Sequence, residues 1–247
     1  MADKLDLEAL DYHRKPTPGK IAVIPTKPLA NQHDLSLAYS PGVAAASLLI
    51  SKDPSEASNL TSRANLVGVI SNGSAVLGLG NIGALAAKPV MEGKAGLFKT
   101  FAGINVFDIE IDESDPEKFI EIVTALEPTF GGINLEDIKA PECFMIEAAL
   151  KDRMKIPVMH DDQHGTAIIV AAAVINGLKI VGKNIGDIKL VCSGAGSAAL
   201  ACLDLLIKLG LNKNNVFVCD IAGVIYEGRT EETNDYNIKY AQDTEAR

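Results

Sequence analysis

Short apolar runs of strand length alternate with longer stretches of helical periodicity along most of this chain, and this alternation restricts the possible folds more than any other feature. Strand candidates lie at residues 65–70, 75–79, 105–109, 132–135, 157–159, 188–192 and 216–219. Helix candidates lie between them at about 82–98, 116–126, 141–152, 166–178 and 195–209. Repeated strand–helix–strand units of this kind predict an α/β protein with a mostly parallel sheet.

The composition is that of a soluble globular protein, with 47% hydrophobic and 22% charged residues among 247. A net charge of −9 without a basic run makes nucleic acid an unfavourable partner. The longest unbroken apolar stretch, residues 167–175, is much shorter than the roughly 20 residues that cross a membrane. The charged N-terminus contains no apolar signal sequence, so we expect no membrane span and a cytoplasmic location.

The chain divides into two predicted units. Its first 40 residues are rich in proline and predict a short helix followed by an extended arm. Near residues 157–165 a short strand runs into a polar turn, so we place the boundary there and expect one domain at 1–158 and a second at 159–247. The second domain contains the strand, glycine-rich turn, helix and strand of a Rossmann unit. It lacks the further strands of a complete one, so we expect a partial Rossmann-type domain.

Two glycine-rich segments each lie between a strand candidate and a helix candidate. Residues 78–83 fit GxGxxG and residues 194–199 fit GxGxxA. In such segments glycine permits a tight turn and lets the backbone approach a pyrophosphate at a helix N-terminus. Only the second segment precedes a strand that ends in a carboxylate at the spacing suited to a ribose. The predicted dinucleotide site therefore comprises Gly194, Gly196, Ser197, Ala198 and Asp220, and residues 78–83 are the weaker candidate, with a purely structural turn as the alternative.

Two adjacent pairs of acidic residues follow strand candidates. Glu136 and Asp137 form the first pair, and Asp161 and Asp162 form the second. Because the carboxyl ends of parallel strands lie at one edge of a sheet, two or three of these carboxylates could converge on one hard cation. The pattern outlines a Mg²⁺ or Mn²⁺ site.

Two other interpretations of these acidic pairs remain open. His160 and His164 could indicate zinc, although neither a nearby cysteine nor an HExxH spacing supports it. Each acidic pair could instead cap the following helix, and Asp162 is well placed to do so before Thr166. The occurrence of two pairs at one edge favours the cation site over capping.

Five segments carry a resemblance to a known family. They are Tyr39-Ser40-Pro41-Gly42-Val43, the run from Asn72 to Gly83, Met91-Glu92-Gly93-Lys94, Asn134-Leu135-Glu136-Asp137 and the run from His160 to Thr166. In type and order they resemble the malic enzymes, particularly the bacterial type with a short N-terminal catalytic domain. The resemblance implies oxidative decarboxylation of L-malate to pyruvate and CO₂ with reduction of NAD or NADP, a requirement for Mg²⁺ or Mn²⁺, and a homodimer.

The resemblance also implies roles for individual side chains. It makes Glu136, Asp137 and Asp162 metal ligands, Lys94 the general base, Tyr39 the general acid and Asp161 a carboxylate beside the lysine. A lysine kept neutral by burial and a nearby cation could take the hydroxyl proton as hydride leaves C2 of malate. Without the resemblance, Lys94 could be a solvated helix lysine and Tyr39 could pack against the N-terminal arm. Lys99 is the competing lysine.

Ala75 bears on how malate is bound, and Asp220 bears on the choice between NAD and NADP. Longer members of the family carry an arginine before the first glycine segment that holds a substrate carboxylate, whereas this chain has Ala75. The second malate carboxylate therefore needs another partner. At Asp220 a carboxylate would repel a 2′-phosphate, and no arginine follows it directly, which slightly favours NAD over NADP.

Two other functions compete with the enzymatic one. The chain as given could be a noncatalytic part of such an enzyme that dimerises or binds metal only. An amino acid dehydrogenase also pairs a lysine-bearing domain with a Rossmann domain, but it needs neither the carboxylates nor a metal. Metal-dependent turnover of malate would support the malic enzyme function. Cation binding without turnover would support the noncatalytic part, and an amino acid dehydrogenase would need no metal.

Overall fold

The strands form two sheets in the computed structural model, which describes residues 4–246. The first sheet contains β1 (Leu66–Ser71), β2 (Asn105–Glu110), β3 (Gly132–Leu135) and β4 (Val158–His160) in the order β2-β1-β3-β4, all parallel. The second contains β5 (Leu190–Ser193) and β6 (Val216–Asp220) in parallel, with β7 (Gly223–Val224) antiparallel beside β6. The α/β prediction is confirmed.

Helices connect these strands. They are α1 (Lys4–Arg14), α2 (Gln32–Ala38), α3 (Val43–Lys52), α4 (Ala57–Leu60), α5 (Ala84–Leu97), α6 (Pro116–Ala125), α7 (Glu142–Arg153), α8 (Asp161–Val181) and α9 (Ser197–Lys208). Helices α5, α6 and α7 link the four strands of the first sheet, and α9 links β5 to β6. Helix α8 leads from the first sheet to the second and packs along α9.

The core of the first sheet lies around its two central strands. All four residues of β3 are buried, as are five of the six in β1, because both faces of these strands are covered. Phe119 and Ile146, from α6 and α7, pack against Leu135 in this core. Continuous apolar runs of this kind are typical of parallel strands buried on both faces. The polar side chains that follow them are thus directed to the sheet edge.

The predicted strand at 75–79 is wrong. This segment forms a tight turn in which Val76 makes one isolated antiparallel bridge to Gly80. Gly78 and Gly80 have φ values of 77° and 73°, which an extended strand does not permit. The apolar residues Leu77 and Leu79 are exposed, so apolar composition alone misled the prediction.

The predicted polar turn before the helix at 166–178 is also wrong. Helix α8 begins at Asp161, directly after β4, and runs for 21 residues to Val181. The acidic residues 161–162 lie in its first turn, where negative charge interacts favourably with the helix dipole. The domain boundary after residue 158 stays a prediction, and β4 spans that position.

Helix α8 also bears on the membrane expectation. Among the described residues it is the one helix long and apolar enough to cross a membrane by length and composition, and only 11% of its apolar 18-residue stretch is buried within this chain. The sequence count missed it because Thr166, Asn176 and Gly177 interrupt the apolar run without interrupting the helix. One such helix is weak support for a span, and the expectation of none stays a prediction.

The N-terminal segment has few contacts with the rest of the chain. None of the residues in α1, α2, α3 and α4 is buried. As predicted, the chain begins with a helix, α1, which is followed by a stretch without regular structure that continues to the start of α2. Lys20 joins this stretch to α5, because its backbone N–H donates to Glu92 Oε2 at 2.8 Å and its Nζ donates to the Pro89 carbonyl at 2.7 Å.

Candidate active site

Two neighbouring strands of the first sheet deliver acidic side chains to the same edge. Leu135, the last residue of β3, pairs with His160, the last residue of β4, so Glu136 and Asp161 follow at equivalent positions. Ligand atoms from Glu136, Asp137 and Asp162 lie within 4.8 Å of one another, and we call these three residues the acidic cluster. The structure thus brings together the three residues predicted to bind metal.

Backbone geometry at Asp137 fixes the shape of the acidic cluster. Asp137 has a φ of 54°, in the left-handed region that aspartate tolerates better than most residues. Its N–H donates to Asp162 Oδ2 at 2.8 Å, and its carbonyl accepts from Ala75 N at 3.0 Å. This backbone connects the end of β3 both to the start of α8 and to the loop that precedes the first glycine segment.

The carboxylates of the acidic cluster have few compensating partners. Burial, reinforced by the charge of Asp162, raises the pKa of Glu136 to about 7 and that of Asp137 to about 6. Asp137 Oδ2 is buried and has no hydrogen-bond partner among the described residues. Asn134 Nδ2 donates to Glu136 Oε2 at 2.8 Å. Three crowded carboxylates with an unpartnered oxygen are the donor set that suits a hard divalent cation.

Lys94 lies against this acidic cluster. Its Nζ is 2.7 Å from Asp161 Oδ2 and 2.9 Å from Glu136 Oε1, and its side chain is 21% exposed. Burial alone would lower the pKa of Lys94, but the hydrogen bonds and charges of Asp161 and Glu136 outweigh it and raise that pKa. Lys94 is therefore a cation between two carboxylates and not a solvated helix lysine. The competing Lys99 donates to Asn105 at 2.7 Å on an exposed surface.

Gly165 makes room for the Asp161 side chain. A Cβ at residue 165 would lie only 2.2 Å from Asp161 Oδ1 and 2.9 Å from Asp161 Cγ. Glycine at this position of α8 therefore allows Asp161 to fold back over its own helix and reach Lys94. The sequence did not predict this role for Gly165, because Asp161 was expected to lie in a turn and not in the first turn of α8.

Tyr39 is exposed and makes no hydrogen bond to this site among the described residues. Tyr39 follows the last residue of α2, its residue surface is 76% exposed, and its hydroxyl makes no hydrogen bond to a described residue. Its role as general acid stays a prediction.

The loop at residues 72–77, which leads into the first glycine segment, contacts the backbone at and after Asp137. A Cβ at Gly73 would meet the Gly83 carbonyl oxygen at 2.3 Å, so the loop can close only with glycine there. Ser74 Oγ accepts from Lys139 N at 3.0 Å, which ties the loop to the segment after Asp137. Ala75 offers only a methyl group at the position where a substrate-binding arginine was considered.

The second glycine segment has the geometry predicted for a dinucleotide turn. Gly194 follows β5 with a φ of 112°, and its N–H donates to the Cys219 carbonyl at 2.7 Å. Gly196 is the N-cap of α9 and has no side chain that could cap the helix. The N–H groups of the first turn, which begins with Ser197 and Ala198, are therefore available to an anion. Binding of a dinucleotide here stays a prediction.

Asp220 ends β6 as predicted, and the structure gives it a partner that the sequence did not reveal. Arg229 Nη2 donates to Asp220 Oδ2, and Ala222 N donates to Asp220 Oδ1 at 2.9 Å. The Arg229 side chain is buried and also donates to the carbonyls of Gly223 and Val224. This guanidinium compensates the charge on which the preference for NAD was based. No local motif marks Arg229, because it lies beyond β7.

Comparison with known sequence families identifies two matches. Residues 18–151 match the family described as malic enzyme, N-terminal domain. Residues 163–247 match the family described as malic enzyme, NAD binding domain. Together the two matches include Glu136, Asp137, Lys94 and the second glycine segment, and Asp162 lies directly before the second match.

Curated relatives carry the same name. The NADP-dependent malic enzyme of Escherichia coli is 67% identical over 98% of this chain and 32% of its own length. The NAD-dependent malic enzyme of Rhizobium meliloti is 61% identical over 98% of this chain and 32% of its length. The NADP-dependent malic enzyme of Halomonas elongata is 54% identical over 100% of this chain and 58% of its length. This chain therefore spans about a third of the first two relatives.

Solved structures show the same fold. An NAD-dependent malic enzyme of Thermotoga maritima superposes with a TM-score of 0.88 and 44% identity, covering 98% of this chain and 63% of that one. A malic enzyme of Pyrococcus horikoshii gives a TM-score of 0.85 with 51% identity, covering 88% of this chain and 51% of that one. The similarity includes both sheets.

Proposed function

The chain belongs to the malic enzyme family, and from this membership we propose that it is part of an enzyme that oxidatively decarboxylates L-malate to pyruvate and CO₂ while NAD⁺ or NADP⁺ is reduced. One observation carries the proposal. Nζ of Lys94, the proposed base, lies within 3 Å of Asp161 and of Glu136, which belongs to the acidic cluster.

We propose that Glu136, Asp137 and Asp162 hold Mg²⁺ or Mn²⁺. The unpartnered Asp137 oxygen and the raised pKa values of Glu136 and Asp137 support this, because a divalent cation compensates crowded buried carboxylates. Such a cation supplies positive charge that acidifies the C2 hydroxyl of malate, balances Glu136 and stabilises the enolate formed after CO₂ departs. The acidic cluster provides only oxygen ligands, which suit Mg²⁺ or Mn²⁺ better than zinc.

The chain's own residues are proposed to move the protons. Lys94, made neutral where a divalent cation offsets the charges of Glu136 and Asp161, takes the C2 hydroxyl proton on Nζ as hydride leaves C2 for the nicotinamide ring, and Asp161 holds that nitrogen in place. The bond between C3 and the distal carboxylate then breaks, CO₂ leaves, and the electron pair forms the enolate. Tyr39 is proposed to protonate C3, which gives pyruvate.

The nicotinamide dinucleotide is proposed to bind at the second glycine segment. Gly194 and Gly196 allow the pyrophosphate to approach the backbone, the N–H groups of Ser197 and Ala198 bind it, and Asp220 accepts from the adenosine ribose. Relatives named for NADP and for NAD are both similar to this chain. The proposal therefore includes both cofactors.

The test uses the whole protein that contains this chain. With L-malate, Mn²⁺ and either cofactor, we expect absorbance at 340 nm to rise and pyruvate and CO₂ to form in equal amounts. Chelation of the cation should abolish the reaction. Formation of NAD(P)H without CO₂, or full activity in a chelator, would contradict the proposal.

A second candidate applies to residues 1–247 alone. Because this chain spans about a third of the Escherichia coli relative, it could bind the cation and dimerise without turnover. Cation binding by the isolated chain without malate oxidation would support this alternative. An amino acid dehydrogenase is disfavoured, since such an enzyme has no use for the acidic cluster.

We further propose a homodimer in the cytoplasm, with L-malate as the small-molecule partner and without nucleic acid or membrane contacts. Exposed leucines on α2 and α3 support the dimer. They are Leu35, Leu37, Leu48 and Leu49, at 52%, 61%, 62% and 45% exposure. Light scattering should report two chains per particle, and Leu48→Glu should shift the protein toward monomer.

A further inference from the structure

Glu147 is a buried carboxylate that the proposed reaction does not use. It lies in α7, its side chain is 8% exposed, and it contacts neither Lys94 nor the acidic cluster. Burial of an ionised carboxylate is costly unless the charge is paired and hydrogen-bonded. Its partners therefore indicate what this side chain holds in place.

Three donors from three elements, β4, α8 and α7, meet at Glu147. His160 N donates to Oε1 at 3.0 Å, and His164 Nε2 lies 2.8 Å from Oε1 and 2.9 Å from Oε2. Lys151 Nζ, one turn along α7, is 2.8 Å from Oε1. Burial would raise the pKa of Glu147, but Lys151 and His164 outweigh it and lower that pKa. The side chain is therefore a carboxylate anion.

The two histidines flank the residues proposed to work at the acidic cluster. His160 is the last residue of β4, and Asp161 and Asp162 follow it at once as the first residues of α8. No loop separates strand from helix, so the orientation of the His160 peptide sets the direction of both aspartates. His164 lies one turn further along the same helix.

Among the described residues, no capping side chain at the junction of β4 and α8 fixes the orientation of the His160 peptide. His160 is the N-cap of α8, and its side chain makes no capping hydrogen bond. Both of its ring nitrogens are buried without a hydrogen-bond partner among the described residues, although Nε2 is 3.5 Å from Asp162 Oδ2. The hydrogen bond from His160 N to Glu147 therefore adds a side-chain anchor to the β3–β4 pairing at the residue before the aspartates.

We propose that Glu147 is a positioning residue, which clamps the start of α8 through His160 N and His164 Nε2 so that Asp162 completes the cation site. The inference rests on the proposed cation site. Glu147 itself touches neither the cation ligands nor Lys94. Outer partners that orient metal ligands typically change metal affinity by 10- to 100-fold when they are removed.

The test measures Mn²⁺ binding to the whole protein by electron paramagnetic resonance of the free ion, without substrate or cofactor. Glu147→Gln keeps the size of the side chain but replaces the anionic carboxylate with a neutral amide. The hydrogen bonds from His160 and His164 are therefore weakened. We expect its dissociation constant for Mn²⁺ to rise roughly tenfold. At saturating Mn²⁺, kcat should return toward that of the parent protein.

Glu142→Gln is the matched control. Glu142 lies on the same helix and pairs with a lysine, Lys139, at 2.9 Å, but it contacts neither histidine. Its Mn²⁺ affinity should equal that of the parent protein. A purely structural role for Glu147 would lower the midpoint of urea unfolding without changing the Mn²⁺ affinity of the folded protein.

Glu147→Asp covers the case in which Glu147→Gln fails to fold. It keeps the charge near Lys151 but shortens the reach toward His160, so Mn²⁺ affinity should again fall. If folded Glu147→Gln or Glu147→Asp bound Mn²⁺ with the affinity of the parent protein, the positioning role of Glu147 would be overturned, while the proposed cation site would stand. Absence of Mn²⁺ binding by the parent protein would overturn the proposed cation site and the inference together.

Discussion

Arg229 and Asp220 form a buried ion pair at the end of β6, and the same guanidinium closes the turn into β7 through the carbonyls of Gly223 and Val224. Asp220 is the residue proposed to accept from the adenosine ribose. Its negative charge is thus compensated before a cofactor binds, which weakens the repulsion expected against a 2′-phosphate. Cofactor preference should therefore depend on both residues.

Arg229→Met should shift preference toward NAD. Without the guanidinium, Asp220 repels the 2′-phosphate, and the ratio of kcat/KM for NADP to that for NAD should fall about tenfold, or about 1.4 kcal/mol. Asp220→Asn should change the ratio in the opposite direction. Steady-state kinetics with both cofactors measure it, and the exposed Arg153→Met provides the control. Equal ratios in all variants would show that this pair does not affect selectivity.

Lys94→Met should remove the proposed base. Without an amine between Asp161 and Glu136, we expect kcat for malate oxidation to fall by about 10²- to 10⁴-fold, the range that general acid–base catalysis contributes. Lys99→Met should retain activity, because Lys99 contacts Asn105 on the surface. Stopped assays of pyruvate formation check both. A greater loss in the Lys99 variant would reverse the assignment.

Asp162→Ala should abolish metal-dependent activity and leave the fold intact. The variant removes one of three clustered carboxylates and the acceptor of the Asp137 N–H, while Glu136 and Asp137 remain. Mn²⁺ titration and far-ultraviolet circular dichroism test the two parts of the prediction. Unchanged activity at saturating Mn²⁺ would argue against Asp162 as a ligand.

Gly165→Ala should disturb Asp161 and not the cation ligands. The added methyl group would lie 2.2 Å from Asp161 Oδ1, so the side chain must leave its position beside Lys94. We expect kcat to fall at least tenfold, while Mn²⁺ affinity stays near that of the parent protein. Gly177→Ala, on the same helix with open space around it, serves as the control. A parallel loss of Mn²⁺ affinity would contradict this separation.

Removal of the cation should make stability depend on pH through Glu136. The fold raises its pKa from 4.5 to about 7, so its contribution to stability is fully present below about pH 4.5 and is lost as the pH rises through 7. Glu136→Gln does not titrate. Between pH 4.5 and pH 8 in a chelator, the parent protein should therefore lose on the order of 3 kcal/mol of unfolding free energy relative to the Glu136→Gln variant.

Urea unfolding of both proteins at several pH values measures this difference. Mn²⁺ should reduce it, because the ion favours the ionised carboxylate. A difference that is independent of pH would show that burial does not raise the pKa of Glu136 as described.

Local sequence patterns predicted most elements and the acidic edge. The strand at 132–135 has the bounds predicted for it, because a run buried on both faces followed by polar residues has few alternatives. The convergence of Glu136 and Asp162 followed from parallel strands, whose carboxyl ends share an edge. The strand at 75–79 failed because periodicity does not register the positive φ values of its glycines.

The sequence by itself determined the α/β class, the strand ends that carry carboxylates and the two glycine turns, because these depend on residues near one another in the chain. Only the tertiary structure decided the partners of the charged groups. Lys94 meets Asp161 across 67 residues, Glu147 reaches His160 across 13, and Arg229 reaches Asp220 across 9. Such pairs form where packing brings elements together, and no local pattern records which charges meet.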